Sequence, residues 1–85
     1  MPSSGYTSHF SSEAVATILH LPGRKRFKVL DIADRIAAHP IRIGDYPSTD
    51  STGRKVQNLM VDEFLFTYWI DDAAKQVRIT EIVVV

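Results

Sequence analysis

The chain changes its hydrophobic period halfway along. Up to about residue 39 the apolar positions recur at helical spacing, and from residue 54 they alternate. Tyr6 to Phe10 is a short β-favouring run. Ser11-Ser12-Glu13 then supplies a hydroxyl cap and an acid in the first turn of a helix. Val15, Ile18 and Leu19 follow at i, i+3 and i+4, which predicts one helical face. Pro22-Gly23 breaks that helix. A second helix is predicted from about Arg24 to Ala38. Val29, Ile32, Ala33, Ile36 and Ala37 form its wide apolar stripe, with Phe27 and Leu30 on the flanks. Asp31 and Arg35 are four apart, a favourable helical pair of about 0.3 kcal/mol. His39-Pro40 ends the helix, because the residue before a proline is pushed out of the α region. The link between the two helices is very short, so they are expected to form an antiparallel hairpin.

The second half reads as sheet. Gly44-Asp45-Tyr46-Pro47 and Asp50-Ser51-Thr52-Gly53 are loop and turn chemistry. Arg54 to Val61 is a predicted strand, with a tight connection at Asp62-Glu63. Phe64 to Ile70 is a strong strand, with Phe64, Phe66, Tyr68 and Ile70 on one face and Leu65, Thr67 and Trp69 on the other. A turn at Asp71 to Lys75 leads into a final strand, Gln76 to Val85, rich in valine and isoleucine. Short loops between consecutive strands imply an antiparallel meander, and the helix pair is expected to cover one face of it. The fold class is therefore α+β: an N-terminal strand, a helix hairpin, then an antiparallel sheet. No internal repeat or low-complexity segment interrupts it.

Composition narrows the function classes. Eighty-five residues are read as a single domain over 1–85, with residues 1–5 a loose polar arm. The chain has no cysteine, so it offers neither a disulfide framework nor a thiolate metal site. That usage fits a reducing cytosol, and a cytoplasmic protein is expected. No stretch approaches the roughly 18 apolar residues of a membrane helix, and Met1 to Gly5 does not begin a secretory signal. Ten basic residues balance ten acidic ones. A dedicated nucleic-acid binder usually has a basic excess, so any such contact must come from a local patch. His9, His20 and His39 are isolated, and no His/Asp/Glu spacing suggests a metal site. No cofactor is expected.

Two stretches carry a family resemblance. FSSEAVATILHLPGRKRFKVLDIADRIAAHP resembles the opening of the RelE/ParE toxin superfamily, where an acidic-apolar helix leads through a leucine-proline link to a basic second helix. GRKVQNLMVDEFLFTYWIDDAAKQVRITEIVVV is similar to the family's second half, with its aromatic strand ending in Tyr-x-Ile-Asp and its final V-x-I-x-x-I strand. The resemblance covers about residues 6–85. It implies a toxin of a type II toxin–antitoxin pair, of the kind tied to plasmid stabilisation and bacterial stress response. RelE-like members cut mRNA on the ribosome, ParE-like members inhibit DNA gyrase, and both are silenced by a cognate antitoxin. RelE-like nucleases place an arginine just after the aromatic that opens the fourth strand, and the matching position here is Leu65. The alternative is thus a non-catalytic interaction module that keeps the fold without the chemistry.

Within that frame the candidate catalytic residues are Arg54, Lys55, Tyr68 and Arg78: cations to stabilise a phosphate and a tyrosine to stack or donate a hydrogen bond. Arg54 and Lys55 read equally well as an exposed strand start where charge discourages edge pairing. Arg78 has an alternative as a surface bridge to Glu81 or Asp71. Arg24, Lys25, Arg26 and Lys28 form the densest basic cluster. They are either a phosphate- or partner-contacting patch or a solvated helix start, although cations there oppose the helix dipole. Tyr68 and Trp69 must face opposite sides of their strand, one under the helices and one on the open face. Trp69 is the candidate to stack a base or anchor a partner. A valine-rich final strand at a sheet edge would also invite pairing into a homodimer.

Overall fold

A computed structural model of the chain describes residues 5–39 and 44–85. Residues 1–4 of the expected arm and the expected stop at Pro40 lie outside the described residues. The elements are β1 (Thr7–Phe10), α1 (Ser12–Leu19), α2 (Gly23–Ala38), β2 (Tyr46–Thr49), β3 (Lys55–Val61), β4 (Phe64–Asp71) and β5 (Gln76–Val84). They make a five-stranded sheet in the order β1-β5-β4-β3-β2. β2 to β5 form the expected antiparallel meander. β1 joins the far side of β5 in parallel, with Thr7 opposite Gln76 and Phe10 opposite Ile79.

The alternation of β4 divides the molecule. Phe64, Phe66 and Tyr68 are buried with Val77, Ile79 and Ile82 of β5 under Ala14 and Ile18 of α1 and Val29, Ile32, Ala33, Ile36 and Ala37 of α2. Phe64 and Phe66 meet edge to face, their centroids 6.5 Å apart, the geometry aromatic quadrupoles prefer. Leu65, Thr67 and Trp69 point the other way, onto a face that neither helix covers.

β5 keeps its apolar residues on the core face only through a bulge. Ile79 lies opposite Tyr68 and Glu81 opposite Thr67, so Thr80 is the extra residue. Val77, Ile79 and Ile82 then all point inward, although strict alternation would turn Ile82 outward. Ser11 reads this bulge directly. Its hydroxyl donates to the Thr80 carbonyl at 2.7 Å and accepts from the Ala14 N–H at 3.1 Å. One side chain thus caps α1 and fastens its first turn to β5.

That fastening explains a difference from the sequence reading. The expected face Val15-Ile18-Leu19 is not the one buried. Ala14 and Ile18 are buried, while Val15 and Leu19 are exposed, because the cap fixes the rotation of α1 and the methyl of Ala14 permits close approach. Gly23 is also the first residue of α2, behind Pro22 as its cap, and not part of a break after α1.

Tyr46-Pro47, read from the sequence as loop, instead opens strand β2 (Tyr46–Thr49), despite the proline. Proline is tolerated there because β2 is the sheet edge and one side needs no donor. Gly44 and Asp45 dock it. A Cβ on Gly44 would sit 2.8 Å from the Asn58 carbonyl oxygen. Asp45 donates its N–H to that same carbonyl at 2.7 Å and accepts from the Met60 N–H at 2.8 Å. β5, in turn, is not an edge. It lies between β1 and β4, because the far-off N-terminal strand takes its second side, so the expected dimer-forming edge is already paired along Gln76–Ile79.

Two outcomes follow for stability. Phe66→Ala removes a fully buried ring and should cost about 3–5 kcal/mol, read as a fall in the urea midpoint at unchanged slope. Ser11→Ala should cost about 1–2 kcal/mol, with amide exchange quickening first in α1 and around Thr80. Uniform loss of protection across the sheet would count against a local role.

Candidate functional site

The open face is built from outward residues of four strands. Trp69 of β4 lies opposite Arg78 of β5, and Arg78 lies opposite His9 of β1. Arg54, just before β3, lays its guanidinium over the Trp69 ring at 3.9 Å from the centroid, and the Arg78 guanidinium is 6.0 Å from it. The indole is thus flanked by two cations, an arrangement its quadrupole favours. Arg78 Nε also lies 3.9 Å from a carboxylate oxygen of Asp71, so the expected surface bridge forms with Asp71, at long range. His9, Arg54, Trp69, Arg78 and Thr80 line a cleft of about 410 Å³.

A turn presents Arg54 to this cleft. The Asp50 carboxylate accepts from the Thr52 hydroxyl at 2.6 Å, the Thr52 N–H at 2.9 Å and the Arg54 N–H at 3.0 Å. Gly53 closes the turn with φ of 86°. The Thr52 hydroxyl, followed by the Arg54 N–H, holds the Asp50 carboxyl below the usual carboxylate range. A depressed carboxylate stabilises the fold above its unfolded value and loses that contribution as pH falls through its folded one. The turn therefore keeps its shape at neutral pH and loosens only in acid.

Thr80 also borders a second cavity of about 390 Å³, lined among others by Glu13, Ser48, Asp50, Asn58, Thr67 and Glu81. Asn58 is 5% exposed, and its amide is fully used. It donates to the Tyr46 carbonyl at 3.2 Å and to Ser48 Oγ at 2.8 Å, and accepts from the Thr67 hydroxyl at 2.9 Å. This stitches β2, β3 and β4 together on the open face. Below it, Met60, Leu65 and Val83 lie opposite one another across β3, β4 and β5. Leu65, the position that the sequence resemblance matches to an arginine, is the middle of an apolar row.

Of the four expected catalytic residues, only Arg54 and Arg78 come together, with Trp69 between them. Tyr68 is 2% exposed on the helix-covered face, as alternation from Trp69 requires. It lines a different groove of about 360 Å³ with Ile32, Arg35, Ile36, His39 and Leu59. Lys55 is exposed, but alternation from Val56 sends it away from the side that Arg54 occupies. Neither shares the cleft with the arginines.

The basic start of α2 is drawn into the fold. Lys25 bridges Glu63 at 2.9 Å and Lys28 bridges Asp62 at 3.1 Å, which ties α2 to the β3–β4 turn. Arg26 donates to the carbonyls of Leu19 and Leu21 at 3.3 and 3.2 Å. The cation that opposes the dipole of α2 thereby reaches the last carbonyl of α1, at Leu19, where positive charge is favoured, and one in the link, at Leu21. Arg24 is exposed at the helix start.

Two contributors were not legible beforehand. His9 reads as an isolated histidine unless β1 is known to pair with β5. Thr80 is signalled only by the three-residue step from Ile79 to Ile82 in an otherwise alternating strand. Among the described residues no group of three or more His, Cys, Asp or Glu is placed to hold a metal ion, and no helix is long and apolar enough to cross a membrane.

No family model matches the chain, and no curated protein sequence matches it. Solved structures do. The toxin–antitoxin complex RelBE2 from Mycobacterium tuberculosis is similar over 95% of this chain and 99% of that one, at 23% identity and a TM-score of 0.79. The archaeal RelE–RelB complex from Pyrococcus horikoshii OT3 matches over 94% of both chains, at 12% identity and a TM-score of 0.71. The intact RelBE toxin–antitoxin complex of E. coli matches over 94% of this chain and 96% of that one, at 12% identity and a TM-score of 0.68. At these identities the likeness is one of architecture, and it covers nearly the whole length on both sides: the chain has the RelE-like toxin fold.

Proposed function

We propose that this chain is the toxin-like member of a toxin–antitoxin pair, held silent by a cognate antitoxin, and that its open sheet face is the surface that meets RNA. The observation that carries this is the placement of Arg54, Trp69 and Arg78 on that face. The net charge of the chain is zero, yet two guanidiniums converge on one indole while Lys25 and Lys28 are bridged to carboxylates elsewhere. Guanidiniums recognise phosphate oxygens in a fixed fork, and an aromatic ring offers any base a stacking surface. The neighbouring structures are themselves complexes of a toxin with its antitoxin, which supports an antitoxin as partner. Contact with mRNA on the ribosome is the form of action this surface fits best.

The Met60–Leu65–Val83 row favours a second reading, a binding module without cleavage. A phosphate that gains charge in a transition state needs donors aimed at it, and this row offers none at the position where the resemblance calls for an arginine.

The deciding measurement is incorporation of labelled amino acid in the minutes after the chain alone is induced in a bacterial culture. Incorporation should fall promptly, and Arg54→Ala with Arg78→Ala should restore most of it while leaving a folded, soluble protein. Growth arrest at full incorporation would direct the activity to a gyrase-like target. Full incorporation with normal growth would leave the non-catalytic module.

A further inference from the structure

His9 has no part in the reading above, and its place in the sheet supplies one. Paired residues on neighbouring strands share a face. His9 opposite Arg78, and Arg78 opposite Trp69, therefore form a row across β1, β5 and β4. Arg54 closes the row by stacking on the indole at 3.9 Å. The four side chains line one cleft of about 410 Å³, with Ser11 and Thr80 beside them.

The charges that face His9 are Arg78 on β5 and Arg54 before β3, with Asp71 beyond Arg78, 3.9 Å from its Nε. Lys75, at the near end of β5, is turned to the Tyr6 ring at 5.1 Å. Glu13 and Glu81 belong to the neighbouring cavity, across Thr80. The cleft thus holds two permanent cations, an aromatic ring, an imidazole and one carboxylate at its margin. That set suits an anion carried beside a flat ring, which is the chemistry of a nucleotide in a single strand. An imidazole is also the side chain type that ordinarily gains charge between about pH 8 and 5. Neutral, it donates one N–H; protonated, it donates two and adds a full positive charge.

We propose that His9 is the third phosphate-binding group of this cleft, which takes a phosphodiester of single-stranded RNA and holds it more tightly once the imidazole is protonated. The proposal rests on the open face as the RNA-contacting surface and adds a proton-linked affinity to it. A guanidinium keeps its charge in proteins across this range. The Asp50 turn that presents Arg54 also holds, because its carboxyl lies below the usual range. Comparison with His9→Gln separates the contribution of His9 from that of every other group that responds to pH.

Trp69 is the one tryptophan of the chain, so its fluorescence reports the cleft directly. The purified chain is titrated with a short oligouridylate whose 2′-hydroxyls are methylated to prevent cleavage, at about pH 8 and about pH 5.5. Uracil takes up no proton in this window. Quenching should saturate at both, with an apparent Kd about fivefold lower at the acid value. His9→Gln, a change at an exposed position on an edge strand, should bind with the same affinity at both. Arg78→Ala should weaken binding about tenfold at either. A wild-type affinity that ignores pH, or an acid gain that persists in His9→Gln, overturns the role of His9 and leaves the face itself standing. Equal quenching by inorganic sulfate at matched ionic strength overturns nucleic acid as the ligand. No saturable quenching at either pH, with an intact circular dichroism spectrum, overturns both the cleft and the reading of the face.

Discussion

The hydrogen bond from the Ser11 hydroxyl to the Thr80 carbonyl is the pivot of this small fold. A bulge leaves one residue of a strand without a ladder partner, and a buried carbonyl left so is costly. Here the unpaired group is answered by the residue that caps α1. Three things depend on that arrangement. The bulge keeps Ile82 on the core side with Val77 and Ile79. The cap sets the rotation of α1, which decides that Ala14 and not Val15 packs inward. The same step in β5 puts both Arg78 and Glu81 on the open face, one on each side of Thr80, and so separates a cationic cleft from a carboxylate-lined cavity.

Charge in this protein is sorted by what it touches, not by where it is densest along the chain. The run from Arg24 to Lys28 has the highest local density of cations, and three of its four members work within the fold. Lys25 and Lys28 hold α2 to a two-residue turn, and Arg26 supplies donors to the end of α1. Exposed pairs of this kind are individually worth about 0–1 kcal/mol, yet they offset a placement the helix dipole disfavours. The cations that reach the open face come from separate strands and meet only in three dimensions.

This is why the fold was more legible than the site. Each α2 position on the core side follows from the helical period. β3, β4 and β5 follow from alternation with little error at their ends, since a one-residue slip would turn Phe64, Phe66 and Tyr68 to solvent. Alternation also assigns Tyr68 and Lys55 to one side and Trp69 and Arg54 to the other, so their separation was implicit in the residues. What could not be read is what long-range pairing decides. β2 hides because its docking lies in a glycine too close to Asn58 for any side chain and in the bonds of Asp45. His9 hides because its neighbour Arg78 is 69 positions away in the chain.

The pairing of β1 with β5 has a kinetic meaning too. Contacts between the first and last strands of a chain close the largest loop it can make, and loop-closure entropy delays them. The meander from β2 to β5 is joined by short turns and assembles from local steps. Until β1 arrives, the outer flank of Gln76–Ile79 is a bare sheet edge, the kind of surface that accepts a foreign strand. The slowest contact to form is therefore the one that closes this stretch of β5, and it is also the one that sets His9 beside Arg78.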